Sequence, residues 1–114
     1  MTERSHITSH VLDSTLGRPA VGVPLTLESF ADDRWMPVAS ALTDDDGRAT
    51  SLGPVALPAG RYRVVFDTGA YFAAQAQATL YPEVSVTFEL ANPAEHYHIP
   101  LLLSPFAYST YRGS

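Results

Sequence analysis

Short runs in which apolar and polar residues alternate cover most of this chain. In "HITSHVLD", residues 6–13, Ile7 and Val11 fall on one face and Thr8, His10 and Leu12 on the other, the period of two that belongs to a strand. "VPLTLESFA" alternates again, and "MPVASALT" predicts a third strand beyond "DDRW". "DDDGR" has the composition of a tight turn in which Gly47 supplies a positive φ, with a short strand from Ala49 after it. "GRYRVVFDT" is rich in Tyr, Val and Phe, "EVSVTFEL" sets Val84, Val86 and Phe88 on one face, and "HYHIPLLL" leads through "SP" into "FAYSTYRGS". The Ala-rich "GAYFAAQAQ" alone suits a helix, of about two turns. About eight strands divided by Pro and Gly, with one short helix, predict an all-β sandwich of two antiparallel sheets.

Composition narrows the function classes. A chain of 114 residues with 46% hydrophobic and 17% charged positions supports one core, so a single domain over residues 1–114 is expected. Without cysteine there is no disulfide, no thiolate nucleophile and no Cys-based metal site. The net charge is −5 and all seven cationic side chains are arginines, too few to build the basic face that nucleic acid requires. No apolar run reaches the ~20 residues of a membrane helix, and "MTERSHITSH" lacks the apolar stretch of a secretory signal, so a cytoplasmic protein is expected.

Candidate chemistry gathers on one kind of face. In "HYHIPLLL", Tyr97, Ile99, Leu101 and Leu103 form the core side, leaving His96, His98, Pro100 and Leu102 on the other. The final strand is expected to place Ser109, Tyr111 and Gly113 together, and the first strand adds His10 beside Leu12. Such mixed faces suit the wall of a cavity better than a surface meeting water. His6 and His96 are read as surface or hydrogen-bonded residues. The H-x-H pair has the geometry of half a metal site, but the spacing fixes no third ligand and no metal is expected. A serine nucleophile has no G-x-S-x-G elbow to support it.

Four stretches, "SHVLDSTLGRPAVGVPLTLE", "TDDDGRA", "FDTGAYFA" with "YPEVSVTFEL", and "HYHIPLLLSPFAYSTYRGS", resemble the 5-hydroxyisourate hydrolases, transthyretin-related enzymes of urate breakdown. The resemblance spans nearly the whole chain in order and includes the Tyr-Arg-Gly-Ser ending that marks the family. It implies a transthyretin-like fold and a catalytic set of His10, Arg48 and His98. His10, Arg48, Tyr111 and Ser114 would contact a small purine-derived substrate, with no cofactor. A homotetramer, a dimer of dimers with sites in its central channel, is implied as well, and with it an active-site role for the chain's ending. The competing expectation is a transthyretin-type carrier that binds a small ligand without catalysis. Transthyretin shares "VLD" and the "LLSP" turn but has neither the histidines nor the YRGS ending.

Overall fold

The computed structural model describes residues 4–114. In chain order the elements are β1 (Ile7–Asp13), β2 (Arg18–Pro19), β3 (Pro24–Ala31), β4 (Arg34–Leu42), β5 (Arg48–Ala49), β6 (Gly60–Phe66), α1 (Thr68–Ala73), β7 (Val84–Leu90), β8 (Tyr97–Ser104) and β9 (Ala107–Thr110). They build two packed sheets. One runs β4-β3-β6-β7, antiparallel throughout. The other runs β2-β1-β8-β9, with β5 also pairing along β1.

In this second sheet β1 and β8 lie parallel, from Ile7 opposite Tyr97 to Asp13 opposite Leu103. The sheet is therefore mixed, because β8 returns to β1 by a long connection through the other sheet and arrives in the same direction. Register decides which residues share a face. Ile7, Val11, Leu101 and Leu103 point inward and are fully buried against Leu25, Leu27, Val64 and Phe66 of the opposing sheet. At roughly 1.5–3 kcal/mol for each fully buried large aliphatic side chain, this inner layer is what holds the outward residues in place. Thr8, His10, His98 and Pro100 thereby fall on the outer face of the mixed sheet.

Two elements depart from expectation. The helix spans six residues rather than two full turns; the Asp67 carboxylate caps it by accepting from the Ala70 N–H at 3.0 Å. Beyond buried Tyr71 and Phe72 the sequence offers only exposed Ala and Gln, so no apolar stripe rewards a longer helix, and Ala76 turns at φ 53°. Strand β9 ends at Thr110 instead of running on; Tyr111 and Arg112 leave the ladder, which closes once more where Gly113 bridges His98.

Candidate active site

Arg48 is delivered by the turn before β5. The Asp44 carboxylate accepts from the backbone N–H groups of Asp46 and Arg48, both at 2.9 Å, and the backbone hydrogen bond from Arg48 is the main reason its acidity is raised above that of an ordinary carboxyl. Gly47 adopts φ 74°, as the turn composition predicted, and a Cβ there would stand 2.5 Å from the Val11 carbonyl oxygen. The turn is thus clamped onto β1, where His10 lies opposite Arg48 in the ladder. Among the described residues the Arg48 guanidinium makes no ion pair.

His98 reaches the same place from β8. Its ring lies 6.5 Å from that of His10, centroid to centroid, and its Nδ1 is 2.8 Å from Thr8 Oγ1. The same hydroxyl lies 2.9 Å from Nε2 of His96. Burial, reinforced by the positive charge of Arg48, holds His98 below the usual histidine pKa. Burial and Arg4 do the same to His96. Both shifts favour the uncharged ring.

The chain's ending completes the arrangement. The Gly113 N–H donates to the His98 carbonyl at 2.9 Å, and a Cβ on Gly113 would meet His98 Cδ2 at 2.4 Å. Glycine lies flush against the imidazole because nothing larger fits. Ser114 follows into a cleft of about 110 Å³ lined by Arg4, Thr8, Arg48, Thr50, His96, His98 and Ser114. Arg112 points elsewhere: it sits 4.4 Å from the Tyr97 ring and 3.7 Å from the Glu95 carboxylate, tethering the segment. Tyr111 is exposed and lines a neighbouring groove with Val86, Phe88, Tyr97 and Ile99, outside the cleft.

Of the residues singled out in the sequence, the structure brings Arg48, His98 and Ser114 around one cleft with His10 beside it, and places Tyr111 apart. His96, read as a surface or hydrogen-bonded residue, is hydrogen-bonded to Thr8 and also lines the cleft. His6 is buried and structural, with its Nδ1 accepting from the Leu57 N–H and its Nε2 bonded to the Glu95 carbonyl. Thr8 was placed on the face of His10 by the alternation but given no role in the site.

Comparison with known proteins gives concordant results. The profile of the HIUase/Transthyretin family matches residues 7–113. The chain is 46% identical over 109 residues to the 5-hydroxyisourate hydrolase of Salmonella dublin, covering 95% of this chain and 80% of that one. The structure of Klebsiella pneumoniae 5-hydroxyisourate hydrolase superimposes with a TM-score of 0.85 at 33% identity, covering 95% and 98% of the two chains. Transthyretin from Sparus aurata superimposes at 0.89 with 35% identity, covering 96% and 97%. Backbone similarity alone does not separate enzyme from carrier; the side chains on the outer face of the mixed sheet must do so.

Proposed function

The chain belongs to the HIUase/transthyretin family, and from that premise we propose that it is a 5-hydroxyisourate hydrolase, opening the ring of 5-hydroxyisourate to 2-oxo-4-hydroxy-4-carboxy-5-ureidoimidazoline in urate degradation. The observation that carries this reading is a histidine biased toward its neutral form and an arginine that makes no ion pair among the described residues, facing one small cleft. A carrier has no use for a proton acceptor beside a fixed cation.

In the proposed mechanism His98 is the general base. Its Nδ1 is engaged by Thr8, and among the described residues its hydrogen bonding stops there, leaving Nε2 to take a proton from water. The hydroxide adds to a ring carbonyl, and the electron pair moves onto the carbonyl oxygen. Arg48 stabilises that oxyanion with its planar fork of donors. Collapse breaks the ring C–N bond, and the departing nitrogen recovers the proton from His98. General-base help of this kind contributes roughly 10²–10⁴-fold. His10, opposite Arg48, and Ser114, at the cleft's edge, hold the substrate. Tyr111 reaches the substrate only in an assembly that brings it to a channel.

Such an assembly is part of the proposal. Substrate pockets usually span about 300–1,000 Å³, and a cleft of about 110 Å³ open on a sheet face falls well short. Leu16, Val21, Phe106 and Tyr108 are also exposed. A homotetramer arranged as a dimer of dimers would cover these side chains and wall the cleft with a second copy. The function is tested by following the ultraviolet decay of freshly generated 5-hydroxyisourate with and without the protein. Acceleration over the spontaneous rate is expected, and its absence refutes the enzyme.

A further inference from the structure

Thr8 is almost wholly buried, and its hydroxyl stands between two ring nitrogens, His96 Nε2 and His98 Nδ1, at 2.9 and 2.8 Å. A hydroxyl has one proton to give and two electron pairs to receive with. Burial and neighbouring cations favour the neutral form of both imidazoles, in which each carries a single N–H. The two contacts therefore link the tautomers of the two rings. If His98 carries its proton on Nδ1, it donates to Thr8, and Thr8 donates onward to a bare Nε2 of His96. If the hydroxyl turns the other way, His98 receives at Nδ1 and must hold its proton on Nε2. Were both rings to donate to Thr8, a buried hydroxyl proton would be left without an acceptor, which is unfavourable.

Of the two arrangements that satisfy the hydroxyl, only the first leaves His98 Nε2 with a free electron pair. The charges around the ring favour it. His98 is faced by the fixed cations Arg48 from β5 and Arg4 ahead of β1, with the rings of His10 on β1 and His96 just before β8 also turned toward it. An electron pair at the nitrogen not engaged by Thr8 suits those charges better than an N–H does.

We propose that Thr8 is a positioning residue which, through its bridge to His96, fixes His98 in the Nδ1–H tautomer and so keeps Nε2 available to accept a proton. This rests on His98 acting as the base. The sequence gives no sign of it, since Thr8 and His96 are 88 positions apart and meet only through the parallel register of β1 on β8.

The test is nitrogen-15 NMR of the folded full-length protein, labelled at histidine, with turnover measured alongside. The His98 ring in the native protein is expected in the Nδ1–H form. Thr8→Val, nearly isosteric but without the hydroxyl, should lose that preference and lower kcat about tenfold with KM changed less than about twofold, at the low end of what loss of an orienting partner costs. Thr8→Ser should restore both readouts. Finding the Nε2–H form in the native protein overturns the inference without recourse to any variant. So does full turnover in Thr8→Val, or failure of Thr8→Ser to rescue. His98→Gln separates the two levels of argument: its inactivity beside a fully active Thr8→Val sinks the bridge alone, whereas an active His98→Gln removes the base and the bridge together.

Discussion

Replacing Gly113 by alanine is the smallest change that sets the chain's ending against its histidine. The added methyl would stand 2.4 Å from His98 Cδ2 and 3.1 Å from Pro100 Cγ, so something must move. Forcing a methylene into a packed contact costs about 1–3 kcal/mol. On one side of the clash, His98 belongs to a strand paired along its length and its ring is fastened to Thr8. The ending is held more weakly: by one backbone bond to the His98 carbonyl, worth about 1 kcal/mol, by Arg112 over Tyr97, about 0.5–1 kcal/mol at an exposed site, and by a long, exposed bond from the Arg112 guanidinium to the His96 carbonyl at 3.4 Å that adds little. The exposed pair between Arg112 and Glu95 adds little. Clash and tether are of equal size, so the ending yields and the sheet does not. Gly113→Ala should therefore lower the melting temperature by no more than about 5 °C, while Ser114 leaves the cleft and turnover of 5-hydroxyisourate falls at least about tenfold. Thermal melts and the ultraviolet decay assay read the two quantities separately. A stable Gly113→Ala protein with native kcat and KM would show that the ending plays no part in the site.

Three further outcomes are expected. Arg48→Lys should lose at least about tenfold in kcat, because lysine keeps the charge but not the planar fork; a fully active variant would reduce Arg48 to a source of field. His96 and His98 are both depressed below the ordinary value near 6.5, so the unfolded chain binds protons first as pH falls. Stability present above about pH 6.5 should then decline below it, while the acidic limb of kcat/KM should lie lower than an ordinary histidine would place it; melting temperatures that do not change between pH 7 and 5.5 would contradict the first, and a limb at or above 6.5 the second. Light scattering at micromolar concentration should give the mass of four chains, and a fully active monomer would defeat the channel.

The faces of β1, β7 and β8 were legible because alternation is a local property: the inward positions of "HYHIPLLL" are those the pattern assigns. Gly47 was legible for the same reason, since a turn is specified by its own few residues. Pairing is a different matter. Nothing in the alternation says that β8 lies parallel to β1, and so nothing told that Thr8 meets two histidines or that Arg48 lies across from His10. The face of Tyr111 was read by extending the strand's period through the ending, but β9 stops at Thr110 and the period has no authority beyond it; its place near the substrate was implied by the family resemblance instead. The helix was overestimated because propensity was counted where no packing surface existed.

The parallel joining of β1 to β8 also bears on how the molecule comes to be. Its register pairs residues 90 positions apart, and the cleft draws on Thr8, Arg48 and His98 at once. A β1 strand freshly synthesised has only two-residue β2 and β5 to lie against until β8 arrives. Loops of that length close slowly, and β proteins dominated by distant pairings fold in roughly milliseconds to seconds. The sheet of β3, β4 and β6, built from neighbours in the chain, can assemble first. Catalytic competence is then among the last things the nascent chain acquires, and until that moment the apolar side of β1 is an exposed edge that a chaperone or another unfinished copy can capture.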